Sequence, residues 1–262
     1  MADWLHELPV VWMAVVVFAA TYAMAAAIYG VVLALATGER ARAFKAISPG
    51  MLSPLGVIFG LFVAFVAAQV WGDNDRASGA VMHEASALRA VVLLAATFPG
   101  EPQTQLGKLV RGYVDETVTR EWPAMGRHRM TLETAPPSLV EALRVVLALK
   151  PASEGQATAQ RELVASLQVA LEARRQRVII SHSGVNWVKW IGLLLQAACT
   201  LVTIAMVHSD NRRTAVVALG LFATAIAVCL VLIASHDRPF TGEISVRPDV
   251  LRQAIPPEPG AR

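Results

Sequence analysis

The chain has 262 residues, of which 55% are hydrophobic and only 16% are charged. This composition is too apolar for an ordinary soluble domain and fits a polytopic membrane protein with one modest soluble part. The net charge of +3 is too small to indicate nucleic-acid binding, so we expect a lipid bilayer and no nucleic acid as the partner.

Four charge-poor runs are each long enough to cross the hydrocarbon of a bilayer as a helix. They are predicted at residues 8–36, 54–71, 190–207 and 214–235. The predicted fold is therefore all-α, with four transmembrane helices and a helical extramembrane domain between the second and third. The domain boundaries that follow are a first pair of spans in 1–71, a helical soluble domain in 72–188, a second pair of spans in 189–235 and a polar tail in 236–262.

An even number of spans places both termini and the soluble domain on one side, but the side stays open. Five basic residues lie on the two short loops and favour a cytoplasmic position for those loops: Arg40, Arg42, Lys45, Arg212 and Arg213. Basic residues of the tail favour the opposite orientation, namely Arg238, Arg247 and Arg252. The amino terminus carries no Lys or Arg before the first run, so no cleavable signal peptide is expected.

The second run carries two distinct faces at about 100° per residue. Small residues, which let helices approach closely in lipid, form one face: Gly56, Gly60, Ala64 and Ala68. The opposite face collects Phe59, Phe62, Val66, Gln69 and, if the helix continues, Asp73. One interpretation is a pore lining with an aromatic constriction, an amide and a carboxylate at the mouth. The alternative is that the small face packs on a neighbour and the Phe face meets lipid or another helix.

The soluble part has helical periodicity throughout and no catalytic motif. One helix is predicted at 103–121, ending at Trp122-Pro123. His83-Glu84 lacks the i, i+4 spacing of a helical zinc site. Three clustered arginines indicate either a solvated or headgroup-facing surface or an anion-attracting vestibule: Arg174, Arg175 and Arg177. We therefore expect no enzyme, no metal site and no cofactor.

Several segments together resemble one bacterial family of membrane proteins of unknown function, labelled bestrophin-like. These segments are GVIFGLFVAFVAAQVW, HEASALRAV, YVDETVTREWP, EARRQRVIIS and RPFTGEISV, and the resemblance extends over about 52–250. It implies four spans with a helical domain between the second and third, in a bacterial inner (plasma) membrane. Glu84 matches the EA-x-A-L part of the second segment, which favours a role for it in pairing with an arginine. With the three arginines, it is a candidate contact for ions or a partner.

The label further implies kinship with bestrophins, which are pentameric anion channels with the pore along the second span. After Phe240 the chain reads TGEISV and lacks the acidic calcium-binding run of animal bestrophins, so calcium gating is not expected. Two functions remain open: an oligomeric channel for inorganic ions, or a membrane-anchored scaffold or sensor whose helical domain binds a partner. For the channel we predict a homo-oligomer with the second span nearest its axis. A carboxylate ring at Asp73 would make the pore cation-preferring or poorly selective.

Overall fold

The computed structural model describes residues 3–6, 8–37, 43–44 and 49–255 of the chain. Within these residues the secondary structure is helical, and no strand occurs. The helices are α1 (Asp3–His6), α2 (Val10–Leu35), α3 (Leu52–Ala95), α4 (Glu101–Glu116), α5 (Trp122–Gly126), α6 (Pro137–Ala148), α7 (Glu154–Ser181), α8 (Trp187–Val207), α9 (Arg212–His236) and α10 (Asp249–Gln253). The expectations for the first short loop at Arg40, Arg42 and Lys45, and for the last residues of the tail, lie outside the described residues.

Four of the described helices are long and apolar enough to cross a membrane: α2, α3, α8 and α9. They coincide with the four predicted spans to within a few residues at the ends, the first helix being slightly shorter than predicted. The exception is α3, a single helix of 44 residues that begins apolar and continues with charged residues. Side-chain caps explain two of the starts: Asn186 accepts from the Lys189 amide at the start of α8, and Asn211 accepts from the Thr214 amide at the start of α9.

The chain divides into two compact units. The first comprises residues 1–72, 184–238 and 242–244, and its core is formed by α2, α8, α9 and the first part of α3. The second comprises residues 73–183, 239–241 and 245–262, and its core is formed by α4 to α7 and the second part of α3. Each core is a continuous cluster of aliphatic and aromatic side chains.

One predicted helix in the second unit is wrong at its carboxyl end. Helix α4 stops at Glu116 instead of continuing to 121, and a π-helical turn, Thr117–Glu121, follows it. Trp122-Pro123 then begins α5 instead of ending a helix, because a proline in the first helical turn has no intrahelical amide bond to lose. Such wide turns often occur where a helix places side chains for a specific contact.

Candidate functional site

The face of α3 predicted to line a pore is packed inside the first unit. Phe59 and Val66 are only 6% and 2% exposed, and the Phe59 ring lies 5.8 Å from the ring of Phe222 on α9. The Phe62 ring lies so close to Gly192 that a Cβ there would be 2.8 Å from it. These side chains are occupied by contacts within one copy, which argues against this face as the lining of a pore between copies.

Gln69, at the carboxyl end of the same face, accepts a hydrogen bond from Lys189 Nζ. Lys189 lies in the first turn of α8. The Gln69 side chain, which was predicted to line a pore, therefore contacts the ammonium group of Lys189 in the same unit. A half-buried ammonium inside a charge-poor segment needs such a polar partner.

The opposite face of α3 is the one left uncovered. Gly60, Ala64 and Ala68 are exposed, and a Cβ placed on Gly56 or Gly60 would meet no atom within 4 Å. The small residues therefore do not pack closely on another described helix of this chain. Large apolar side chains share the face with the small ones and are strongly exposed: Val57 at 66%, Leu61 at 64% and Phe65 at 73%. We call Val57, Gly60, Leu61, Ala64, Phe65 and Ala68 the free face of α3.

The carboxylate that continues the free face is Asp75 and not Asp73. Asp73 is buried and accepts from the Arg76 guanidinium, which is itself exposed. Asp75 is exposed, and at 100° per residue it lies in the same angular position as Val57 and close to Ala64 and Ala68. Asp75 is therefore better placed than Asp73 for the carboxylate ring that we expected, and the ring itself stays a prediction.

The second unit contains a buried ionic cluster, which we define as Glu84, Glu121, Arg174, Arg177 and Tyr113. Arg177 donates from Nε to Glu84 Oε2 at 2.7 Å and from Nη2 to Glu84 Oε1 at 3.1 Å and to Glu121 Oε2 at 3.0 Å. Arg174 donates from Nε to Glu121 Oε1 at 2.9 Å, and the Tyr113 hydroxyl donates to Glu84 Oε1. Paired, bidentate charges of this kind are what allow ionic groups to be buried.

Aromatic and sulfur groups complete the surroundings of Arg177. Its guanidinium carbon lies 5.2 Å from the centre of the Trp122 ring, and its Nη1 lies 3.2 Å from Met125 Sδ. Trp122 in turn packs edge-on against Phe240 and donates from Nε1 to the Val246 carbonyl at 3.3 Å. The cation–π contact is strong here because water is excluded.

Two arginines and two glutamates make the cluster electrically balanced. Burial raises the pKa of the Tyr113 phenol well above its ordinary value, and the Glu84 carboxylate raises it further. Burial acts to lower the pKa of Arg177, but Glu84, then Tyr113 and Glu121, outweigh it, so that its pKa is raised. Tyr113 therefore stays a hydrogen-bond donor and Arg177 stays charged. These two groups therefore serve to position the helices and not to transfer protons.

The three clustered arginines thus have different surroundings. Arg174 and Arg177 are buried, while the Arg175 side chain is 64% exposed and lies 3.9 Å from Glu172. Direct contacts of Glu84, Arg174 and Arg177 with solvent ions or a partner do not fit their burial. Of the predicted contact residues, only Arg175 is at the surface.

The segments that carry the family resemblance converge on this cluster. Glu84 comes from HEASALRAV, Tyr113 and Glu121 from YVDETVTREWP, Arg174 and Arg177 from EARRQRVIIS, and Phe240 beside Trp122 from RPFTGEISV. Sequence reasoning gave no role to Tyr113 or Glu121. For Arg174 and Arg177, the register of α7 was an available signal. These arginines continue, at helical spacing, a face whose residues are all buried: Leu163, Leu167, Ala170, Arg174, Arg177 and Ser181.

The model of the Bestrophin-like domain family matches residues 10–251. The chain belongs to that family. The match contains all four long apolar helices and every residue of the buried ionic cluster. No curated protein matches the sequence significantly.

Solved structures with the same fold have low sequence identity to this bestrophin-like chain. Two are crystal structures of variants of a bacterial bestrophin homologue from Klebsiella pneumoniae. One is 12% identical over 92% of this chain and 97% of the other, with a TM-score of 0.68; the second is 11% identical over 92% and 96%, with a TM-score of 0.71. A crystal structure described as a membrane protein is 15% identical over 79% and 84%, with a TM-score of 0.60. At these identities the likeness shows the fold.

Proposed function

We propose that this protein is an oligomeric ion channel of the bacterial inner membrane, with a pore along α3 and an extramembrane helical domain between the second and third spans. The chain belongs to the Bestrophin-like domain family, and its fold resembles that of a bacterial bestrophin homologue. The four long apolar helices supply the spans. The observation that carries the proposal is the free face of α3, an uncovered helix face that mixes small and large apolar side chains.

The free face has the properties that a pore between copies requires. Exposed Gly60, Ala64 and Ala68 allow the backbones of neighbouring copies to approach closely. Exposed Leu61 and Phe65 lie one turn apart and would form successive apolar rings, which gate channels by excluding water. The number of five copies is taken from the family. In such an assembly, five copies of α3 around an axis would cover this face.

The test is ion flux in liposomes combined with the size of the complex in mild detergent. We expect the purified protein to be a pentamer and to conduct ions. We expect Phe65→Ala to change the rate of ion flux. Leu195→Ala is the matched control, because Leu195 is 62% exposed on α8 and lies outside the free face. A monomer without flux would overturn the proposal and favour the membrane-anchored scaffold. If Phe65→Ala and Leu195→Ala conducted ions equally, the free face would not line the pore.

A further inference from the structure

An apolar cleft opens between α2 and α8 in the first unit. It has a volume of about 480 Å³ and no polar lining surface. Its walls come from the last turns of α2, the last turns of α8 and one residue of the loop between α2 and α3: Ala27, Val31, Leu35, Val202, Met206 and Phe44. A volume of this size is within the range of roughly 300–1,000 Å³ seen for small-molecule sites, but a wholly apolar lining offers a polar solute no partner.

Two exposed arginines follow closely on the carboxyl end of α8, where the cleft lies. Helix α8 ends at Val207, one residue after Met206, and α9 begins at Arg212. Arg212 and Arg213 are both exposed, and neither forms an ion pair with a carboxylate in the described part of the chain. In the sequence, the two short loops contain five basic residues against two acidic ones, Glu39 and Asp210.

We propose that this cleft binds one acyl chain of an anionic phospholipid, whose phosphate is contacted by Arg212 and Arg213. The proposal rests on the membrane placement given under the proposed function. An acyl chain matches a lining without polar atoms, because burying apolar surface needs no hydrogen-bond partner. Arginine guanidinium groups match a phosphate in both charge and geometry. A zwitterionic lipid would fill the cleft equally well but would gain less from the two guanidinium groups.

The measurement is native mass spectrometry of the protein in mild detergent, supplied with phosphatidylglycerol or phosphatidylcholine of identical chains. We expect the wild type to retain phosphatidylglycerol preferentially. Arg212→Gln and Arg213→Gln should each lower that preference about fivefold, the value of one basic residue near an anionic surface. Replacing both arginines by lysine keeps the charge and should preserve most of the preference.

A second variant tests the cleft itself. Ala27 is exposed at the cleft wall, so Ala27→Phe should fill the space without disturbing the core and remove one retained lipid per chain, whatever its headgroup. Val15→Phe, at an exposed position nearer the start of α2, is the control and should retain that lipid.

Equal retention of the two lipids by the wild type, or a full complement of lipid on Ala27→Phe, would overturn the proposal. Because binding is measured in detergent and flux in liposomes, the two proposals fail separately. Specific lipid binding by a protein that does not conduct would refute only the channel.

Discussion

Arg177 and Glu84 form an ion pair from which solvent is excluded, with Nε 2.7 Å from Oε2 and both side chains at 0% exposure. The two residues are 93 positions apart and join α7 to the second part of α3. Glu121 and Arg174 extend the pair into a neutral cluster. The cluster lies where the segments that carry the family resemblance meet, so we interpret it as the feature that fixes the helices of the second unit in register.

Breaking this pair should be costly. Arg177→Met leaves Glu84 buried without its ionic partner, and we expect the free energy of unfolding to fall by about 3–5 kcal/mol. Arg175→Met is the control, because Arg175 is exposed and its change should stay within about 0.5 kcal/mol. Denaturant unfolding in mild detergent, followed by helical circular dichroism, measures both.

The double variant Glu84→Met, Arg177→Met distinguishes pairing from packing. It removes both charges, so its unfolding free energy should be closer to that of the wild type than the sum of the single changes implies. Additive losses would mean that the two side chains stabilise the unit independently of their ion pair.

Tyr113 should make the second unit sensitive to alkali. The phenol has a raised pKa in the folded protein compared with about 10 in the unfolded chain. The stability that depends on the protonated phenol is therefore complete below pH 10 and is lost as the pH rises above that value. We expect the unfolding free energy of the wild type to fall above pH 10 more steeply than that of Tyr113→Phe. Parallel pH profiles would contradict this, and Tyr22→Phe serves as the control.

The four long helices were predictable because each span is a charge-free run and the bilayer sets its minimum length. The orientation of α3 was not. Helical periodicity places Phe59 and Val66 on one face of α3 and Gly60 and Ala64 on the other. Because both faces are apolar, periodicity cannot show which of them packs against other helices of the same chain. The structure buries Phe59 and Val66, with Phe59 against Phe222 of α9, and leaves the opposite face uncovered, where Leu61 and Phe65 are exposed beside the small residues.

The register of α7 places Arg174 and Arg177 on its buried face, but their partners could not be predicted from the sequence. Charged side chains are rarely fully buried unless they are paired, and the carboxylates that pair with them lie 53 and 93 residues away. A cluster of arginines was therefore interpreted as a surface. The expectation that Glu84 pairs with an arginine named the correct type of partner without identifying it, because no local pattern connects α3 with α7.

Gly192 should be intolerant of a side chain. A Cβ there would lie 2.8 Å from Cε1 of Phe62, whereas a Cβ on Gly220 would meet nothing within 4 Å. We expect Gly192→Ala to lower the unfolding free energy by about 1–3 kcal/mol through overpacking. Gly220→Ala in α9 should be neutral or stabilising by about 0.5–1 kcal/mol. Equal effects of the two substitutions would show that α8 and α3 are not in close contact.

The assembly should depend on the free face of α3. Gly60→Leu places a branched side chain where copies are proposed to approach closely, so we expect dissociation of the oligomer in mild detergent, measured by light scattering. Gly30→Leu is the matched control, since Gly30 on α2 also has open space around it. An unchanged oligomer in Gly60→Leu would place the subunit contacts on another surface.

The charge selectivity of the channel should depend on Asp75 rather than Asp73. Asp75 is exposed and continues the free face, so one copy of it from each subunit would form a carboxylate ring at the pore mouth, and such rings favour cations. Asp73 is buried and already neutralised by Arg76, and opposite charges in contact contribute little field beyond about 8 Å at physiological salt. We therefore expect Asp75→Asn to move the reversal potential in a salt gradient toward the chloride equilibrium value, while Asp73→Asn leaves it in place and lowers stability. If Asp73→Asn alone moved the reversal potential, the carboxylate ring would be formed by the buried Asp73. A wild-type potential already at the chloride value and unmoved by either change would show that no carboxylate ring controls permeation.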